Sequence, residues 1–215
     1  MTKINYIKIA KKTAATQISE LKKINKVFGK PFNKAIDLIA NCKGKVIAAG
    51  IGKSGLIARK VSATLSSVGV SSFYLNPGEA NHGDLGMLEK KDSVILISNS
   101  GETSELINLI LHCKKLKIPI ISITSEPNST LAKEATYNLL IPKNIEACPL
   151  ELAPTSSTTC TLVLGDALAV TLLKKRKFTE SDFRALHPGG KLGQMLSQVK
   201  DVMKIDSDVP FSDEE

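Results

Sequence analysis

The stretch Val46-Ile47-Ala48-Ala49-Gly50-Ile51-Gly52-Lys53-Ser54-Gly55 decides the fold of this chain. Its first four residues form an apolar run that is typical of a buried strand, and the glycines that follow predict a tight turn into a helix. A strand that ends in glycines and restarts as a helix directs several backbone N–H groups at one point, which suits a phosphate. The segment therefore predicts a phosphorylated ligand.

The chain downstream repeats this order of strand and helix. Apolar runs and helical periodicity predict strands at 46–49, 72–75, 94–97, 118–123 and 137–141, and helices at 54–68, 103–116, 130–135 and 156–175. Short strands that are apolar on both faces and separated by helices predict a parallel sheet covered on both sides. The expected fold is α/β, a doubly wound three-layer αβα sandwich with a five-stranded parallel sheet. Its ligands should bind in loops that follow strands.

Two helices are predicted before the sheet. Residues from about 4 to 27 carry apolar side chains at three- and four-residue spacings beside a lysine-rich face, and Pro31 fits the first turn of a helix that ends near Asn41. We expect residues 1–43 to pack on the core and on partner subunits. Residues 44–198 form the main domain, and the acidic, aperiodic residues 199–215 are expected to be a linker or the start of a further module.

Composition limits the functions that this chain can have. Its 215 residues, 42% of them hydrophobic, are enough for one main domain. The net charge of +8 is spread over predicted helices, and only 4% of residues are aromatic, so no nucleic-acid partner is expected. We found neither an apolar run of about 20 residues nor a signal-peptide pattern, so we expect no membrane and a cytoplasmic location.

Cysteine and histidine spacing predicts no metal site. Cys42, Cys113, Cys148 and Cys160 are scattered without paired spacing, which favours reduced structural thiols over a zinc site or a disulfide framework. No histidine or cysteine pair has the spacing of metal ligands.

Two nucleotide-binding motifs compete for the glycine segment. A Walker loop requires a glycine five residues before Gly52, where this chain has Ile47. The dinucleotide fingerprint matches Gly50, Gly52 and Gly55, but the next predicted strand ends without the acidic residue that would hold a ribose. A nucleotide triphosphatase is not expected, and a dinucleotide-binding oxidoreductase remains an alternative.

A second candidate site follows the third predicted strand. We call residues 98–105, with the sequence Ser-Asn-Ser-Gly-Glu-Thr-Ser-Glu, the serine loop. Its hydroxyls and the helix that follows offer many donors to an anion. One capping residue would suffice for a helix start, so four hydroxyls favour a ligand over a simple cap. For a later hydroxyl run at 155–159, capping and ligand contact remain equal alternatives.

Two of the three histidines lie in turns. His82 is next to Gly83, and His187 precedes Pro188-Gly189-Gly190, where tight turns would present an imidazole to a ligand. His112 lies within a helical pattern, which favours a structural role.

Together these segments resemble the sugar isomerase (SIS) domain, and within it the arabinose-5-phosphate isomerases. The resemblance covers about residues 44–193, and its carrying segments are 50–55, Pro77-Gly78-Glu79-Ala80 with 82–86, 98–102, Glu146-Ala147-Cys148-Pro149-Leu150, 153–159 and the late His-Pro-Gly-Gly. It implies a flavodoxin-like sheet and interconversion of D-arabinose 5-phosphate and D-ribulose 5-phosphate through an enediolate. It also implies a role in Kdo and lipopolysaccharide biosynthesis and no cofactor.

The resemblance also implies site residues and an assembly. A lysine, two glutamates and a histidine held to be catalytically relevant in the family fall here on Lys53, Glu105, Glu146 and His187. We favour Glu146 as the base, Lys53 as the group that stabilises the enediolate, and His187 for ring opening. The expected partners are a phosphorylated pentose and further copies of the chain, in a homotetramer in which His187 enters a neighbouring subunit's site. Substrate contacts are expected from Gly52, Ser54, His82, Ser98, Asn99, Ser100, Gly101, Thr103, Ser104, Lys143, Thr155 and Ser156.

The chain departs from the family pattern at two places. Asn76 stands where some members have a histidine that can hold an inhibitory zinc, so zinc sensitivity is left open. Members commonly continue into a pair of CBS modules, whose start Asp201-Val202-Met203 resembles. A sugar-phosphate-sensing regulatory domain, which would need the serine loop but not Glu146 and His187 together, remains an alternative to the isomerase.

Overall fold

A five-stranded parallel sheet forms the centre of the computed structural model, which describes residues 4–189. Its strands are β1 (Val46–Gly50), β2 (Ser72–Leu75), β3 (Ser93–Ile97), β4 (Ile120–Thr124) and β5 (Tyr137–Leu140), in the spatial order β2-β1-β3-β4-β5. The α-helices are α1 (Tyr6–Leu21), α2 (Lys30–Ala40), α3 (Gly52–Ser67), α4 (Pro77–Ala80), α5 (Leu106–Leu116), α6 (Thr130–Glu134), α7 (Ser156–Lys175) and α8 (Glu180–Leu186). Short 3-10 helices follow α1 at Lys22–Val27 and α4 at Asp84–Met87.

The sheet is buried on both faces. Every residue of β1, β3 and β4 is buried, and alternate residues of β3 enter two separate cores. Ile95 and Ile97 pack with α2, α3 and α7, whereas Val94 and Leu96 pack with α5 and α6. The predicted doubly wound, three-layer α/β fold is therefore confirmed.

The order of the strands reverses between β1 and β3. The chain leaves β1 for the edge strand β2 and then returns to the other side of β1, where Ala48 pairs with Ile95. At such a switch point the loops after the two central strands diverge and leave a crevice at the carboxyl edge of the sheet. The loops after β1 and β3 are the glycine turn and the serine loop.

Several element boundaries differ from the predicted ones. The predicted helix at 4–27 is divided into α1 and a 3-10 helix. β4 begins two residues late because Lys117 adopts a left-handed φ of 59° and the Ile118 amide bonds to the carbonyl of Cys113, which ends α5. α8 was missed, although its capping box of Thr179 and Asp182 is visible in the sequence. The predicted linker at 199–215 lies outside the described residues.

Helix α7 is the longest helix among the described residues, and it is apolar. By length and composition its 20 residues could cross a membrane, contrary to the expectation that no such run exists, but half of it is buried in the fold. It packs against α1, α2 and α3 as a core helix. A Cβ at Gly165 would lie 2.3 Å from Val61 Cγ2, so α7 and α3 approach each other closely at this glycine.

Candidate active site

The turn between β1 and α3 is the first part of the site. Gly52 has a φ of +58°, which favours glycine. A Cβ at Gly55 would lie 2.6 Å from the carbonyl oxygen of Gly50, so a glycine is needed for α3 to begin this close to the sheet. The amino end of α3 has no side-chain cap. This geometry leaves the first amides of α3 available to an anion.

The serine loop follows β3 and is held together by its own hydroxyls. Ser98 is only 2% exposed, and its Oγ lies 2.7 Å from Thr103 Oγ1 and accepts a hydrogen bond of 3.0 Å from the Gly101 amide. The Ser104 hydroxyl donates to Glu105 Oε2 at 2.9 Å. These bonds help to fix the shape of the loop, and the expected contacts of its hydroxyls with a ligand stay a prediction.

The backbone of the serine loop also offers donors. Within residues 4–189, no protein acceptor meets the amides of Asn99, Ser100, Thr103, Ser104 and Glu105. The loop precedes α5, whose amino end adds a positive dipole. Several unpaired amides at a helix start form a concave donor surface that suits a phosphate.

Glu102, within the serine loop, has a structural role. Its Oε1 accepts a hydrogen bond of 2.7 Å from the Thr130 amide at the start of α6. Hydrogen bonds from the Thr130 backbone and side chain, with the charge of Lys133, hold the pKa of the Glu102 carboxyl below its usual value. Glu102 therefore ties the serine loop to α6.

Glu146 begins what we call the anchored segment, residues 146–156, which leads from β5 to α7. Glu146 Oε2 accepts hydrogen bonds from the Thr155 amide at 2.6 Å, the Thr155 hydroxyl at 2.7 Å and the Ser156 amide at 2.7 Å. Thr155 Oγ1 in turn accepts a hydrogen bond of 2.8 Å from the Ala147 amide. The chain's own carboxylate thus occupies the amino end of α7.

The charge state of Glu146 follows from these contacts. Partial burial raises the pKa of its carboxyl, but hydrogen bonds from Ser157, Thr155 and the Ser156 amide lower it more, and the net pKa is below the usual value. Glu146 is therefore an anion at neutral pH. The Thr155 and Ser156 bonds named above all go to Oε2.

These three regions meet at one cavity of about 160 Å³ at the carboxyl edge of the sheet. Ser54 comes from the turn after β1, Asn99 from the serine loop after β3, and Glu146 from the segment after β5. The remaining lining residues are Ile57, Glu151, Leu152, Pro154, Ser157, Thr158 and Thr161. The cavity therefore lies at the switch point of the sheet and contains an ionised carboxylate.

Three predicted charged residues, Lys53, Glu105 and Lys143, do not line this cavity. Lys53 is exposed in the first turn of α3, next to Ser54, and forms no ion pair within the described part of the chain. Glu105 is half-buried at the N-cap of α5. Lys143 follows β5 and pairs with Glu126 at 2.8 Å, and this contact raises the pKa of its ammonium.

The loop after β2 presents His82 to solvent. His82 is exposed between α4 and the following 3-10 helix and does not line the cavity. Asn76, before α4, uses its side-chain oxygen to accept a hydrogen bond of 3.0 Å from the Gly78 amide. Asn76 is therefore the N-cap of α4 in this chain.

His187 lies far from Glu146 within the same chain. α7 begins beside the Glu146 carboxylate and extends over 20 residues, about 30 Å, toward the opposite edge of the sheet. There Phe178 packs on Gly69, which precedes β2. His187 ends α8, where its ring stacks on Phe183 at 3.9 Å and its Nδ1 lies 2.8 Å from the Phe183 carbonyl oxygen. It does not line the cavity.

Sequence reasoning missed several cavity residues on the anchored segment and α7. Glu151 is exposed, has a left-handed φ of 54° and lines the cavity, yet it was not singled out. Ser157 and Thr158 also line the cavity and were quoted only as part of a hydroxyl run. Thr161 lies four residues beyond Ser157, on the same face of a helix that starts at Ser156, and this spacing could have identified it.

Known proteins resemble this chain over most of its length. The SIS domain profile matches residues 38–171. The chain is 51% identical over 191 residues to the arabinose 5-phosphate isomerase KdsD of Salmonella typhi, which is 88% of this chain and 58% of that protein. It is 47% identical over 208 residues to KdsD of Pseudomonas aeruginosa, covering 96% and 64% respectively. The chain thus spans about three fifths of the length of these relatives.

A solved structure extends the resemblance to three dimensions. An E. coli CFT073 protein in complex with arabinose 5-phosphate is 42% identical and superposes with a TM-score of 0.78. The match covers 86% of this chain and 100% of that one.

Proposed function

Because this chain belongs to the SIS domain family, we propose that it is an aldose–ketose isomerase that interconverts D-arabinose 5-phosphate and D-ribulose 5-phosphate. The KdsD isomerases, to which it is about half identical, and the similar structure that holds arabinose 5-phosphate support this substrate. The observation that carries the proposal is the cavity at the switch point, where the ionised Glu146 lies close to the serine loop and the first turn of α3.

The reaction requires a base but no redox partner. After the sugar ring opens, the proton beside the carbonyl leaves, an enediolate forms, and the proton returns to the neighbouring carbon. A positioned carboxylate contributes about 10² to 10⁴ in rate to such a transfer. We assign this proton transfer to Glu146 Oε1, because the three bonds described above hold Oε2.

The other groups of the site bind the phosphate or stabilise the charge of the enediolate. The unpaired amides of the serine loop bind the phosphate, and Ser98, Thr103 and Ser104 maintain the shape of that donor surface. Lys53 stabilises the enediolate oxygen electrostatically, since it is cationic, has no ion-pair partner among residues 4–189 and is adjacent to the cavity residue Ser54. Glu105 orients these neighbours.

We further propose a homotetramer in which His187 completes the site of an adjacent chain. Two observations support this arrangement: α7 places His187 far from Glu146 in its own chain, and α1 leaves Ile7 71% and Ile18 58% exposed. Exposed apolar side chains of this size suit burial against another copy. His187 would then serve ring opening in the neighbouring site.

Mixed tetramers test the shared site. His187→Ala and Glu146→Gln are each expected to be inactive alone, and co-expression should restore partial activity because some mixed sites receive one intact residue from each chain. Mixed assemblies with no recovered activity would place both residues on one chain.

The metabolic setting is a proposal on the same basis. By family resemblance the product feeds Kdo and lipopolysaccharide biosynthesis in the cytoplasm. Cys42, Cys113, Cys148 and Cys160 are all free thiols in the structure, which is the state that a reducing compartment maintains.

A direct assay tests the proposed reaction. Purified protein incubated with D-ribulose 5-phosphate should produce D-arabinose 5-phosphate, and the reverse reaction should reach the same equilibrium ratio. Thermal stabilisation by both sugar phosphates without turnover would identify a sensing domain instead. Stabilisation by NAD(P) alone would favour the dinucleotide-binding alternative.

A further inference from the structure

We propose that Glu20, on the last turn of α1, is a positioning residue that holds Glu146 in place through the backbone of Ile145. The proposal deepens the isomerase function and rests on it. Glu20 is the one buried residue of α1, at 4% exposure, whereas Tyr6, Ile7 and Ile9 on the same helix are at least half exposed. Because α1 leaves its isoleucines exposed while it buries a carboxylate, the burial of Glu20 calls for an explanation other than core packing.

The contacts of Glu20 indicate what its buried carboxylate does. Its Oε2 accepts a hydrogen bond of 3.2 Å from the amide of Ile145, the residue directly before Glu146. Its two carboxylate oxygens also pair with Lys23 Nζ at 2.6 Å and 2.8 Å. The Ile145 bond joins positions 125 residues apart and fixes the point where the anchored segment begins.

Gln17, one turn earlier on α1, contacts the start of α7. The Thr159 hydroxyl, in the first turn of α7, donates to Gln17 Oε1 at 2.7 Å. Thr155 and Ser156, which bind the Glu146 carboxylate, lie in the same stretch of chain at the start of α7. The end of α1 therefore connects the residue before Glu146 with the helix start that receives its side chain.

Stability alone does not explain a buried carboxylate at this place. Removing an ion pair from water is costly, and replacing buried pairs by apolar side chains is often neutral or stabilising. Nearer its amino end, α1 separates from the chain around Glu146 across a second cavity of about 320 Å³, which Ile9 lines on the α1 side and Ile145 and Glu146 line on the other. Glu146 thus borders an open space on the α1 side, and Glu20 and Gln17, which do not line that space, hold the chain next to it.

Loss of Glu20 should loosen Glu146 without affecting phosphate binding. With Ile145 released, the Glu146 carboxylate spends less time in the geometry for proton transfer, whereas the serine loop has no described contact with Glu20. Glu20→Ala should lower kcat about tenfold and leave KM within about twofold. Glu20→Gln keeps an oxygen acceptor for the Ile145 amide and should retain most of the turnover.

Hydrogen exchange provides a readout that does not depend on activity. Mass spectrometry of peptides covering residues 141–155 should show faster exchange at Ile145 and Ala147 in Glu20→Ala, and near wild-type exchange in Glu20→Gln. Asp37→Ala is the matched control, because it removes the link from α2 to Lys175 of α7 on another surface. It should change neither the exchange of this segment nor kcat.

Each outcome decides the proposal. Unchanged exchange in Glu20→Ala, or equal damage in Glu20→Gln, would overturn the positioning role. If Glu20→Ala does not fold, Gln17→Ala, which removes one of the two acceptors of the Thr159 hydroxyl and leaves the Thr155 carbonyl, should show a smaller change in the same direction, and no change there would also overturn it. A wild-type protein that does not isomerise pentose phosphates would disprove the proposed reaction, while the exchange data would still decide the role of Glu20.

Discussion

The serine loop and the anchored segment both start helices at the carboxyl edge of the sheet, and both are rich in hydroxyls, yet their amino ends are occupied differently. At α7 the carboxylate of Glu146 accepts the first amides. At α5 five amides of the loop, those of Asn99, Ser100, Thr103, Ser104 and Glu105, have no protein acceptor among residues 4–189. Two hydroxyl-rich segments therefore produce one helix start that can receive an external anion and one that holds an internal anion.

Among the substitutions that test this difference between the two helix starts, Glu146→Gln should have the largest effect on kcat. The amide keeps the volume and can still accept a hydrogen bond at the amino end of α7, but it cannot accept the substrate's proton. We expect kcat to fall at least about 100-fold while sugar-phosphate binding persists. Steady-state kinetics with calorimetric binding would measure both. Glu151→Gln, at the other carboxylate of the cavity, is the control, and near-normal turnover in Glu146→Gln would remove it as the base.

The serine loop should respond with the opposite kinetic pattern. Replacing both Ser98 and Ser100 by alanine removes the Ser98 bonds to Thr103 and Gly101, so the donor surface for the phosphate loses its shape. Hydrogen bonds to charged groups contribute about 1.5–3 kcal/mol each, so KM should rise about tenfold or more, with a smaller change in kcat. An unchanged KM for phosphorylated sugars would show that this loop does not bind the phosphate.

A smaller effect is expected from Thr155→Val in the anchored segment. The substitution removes the hydroxyl that donates to Glu146 at 2.7 Å and accepts from Ala147 at 2.8 Å. The free energy of unfolding should fall by about 1–3 kcal/mol, measured by urea denaturation. Thr64→Val is the control, since its hydroxyl bonds only within α3. Equal losses in both variants would mean that the contact with Glu146 adds nothing specific.

A change of pH between 5 and 8 should have the smallest effect on kcat. The pKa of Glu146 is lower in the folded protein than the ordinary value of about 4.3, so its stabilising contribution is complete above that value and is lost as the pH falls through the folded pKa. Between pH 5 and pH 8, kcat should therefore not change through titration of Glu146. Thr155→Val removes a donor to the carboxylate, so an acid limb in this range that moves to higher pH in this variant would belong to Glu146 and would contradict the lowered pKa.

Sequence alone predicted the sheet more fully than the site. Apolar runs such as Val94–Ile97 identify buried strands because burial on both faces requires continuous apolar residues. The glycines and hydroxyls also singled out the glycine turn and the serine loop, and the family resemblance singled out Glu146; residues of all three line one cavity in the structure. Sequence alone could not tell that the serine-loop hydroxyls bond to one another, because that depends on side-chain geometry.

The contacts of the first helix, α1, could not be predicted from the sequence pattern either. The three- and four-residue spacing of α1 predicted an amphipathic helix, but periodicity does not say which partner covers the apolar face. In α2 the face formed by Phe32, Ile36 and Ile39 is buried in the chain's own core, whereas Ile7 and Ile18 of α1 remain exposed. The contact of Glu20 with Ile145 spans 125 positions and has no local signature.

Gly165 links the cavity to a contact that lies outside it. α3 and α7 each bring a cavity residue from their first turns, and Gly165, nine positions into α7 and about 14 Å from its start, faces Val61 of α3 without room for a Cβ. We expect Gly165→Ala to push the two helices apart at this point. The substitution would then change the separation of the residues that α3 and α7 bring to the cavity, although no atom that lines the cavity had been altered.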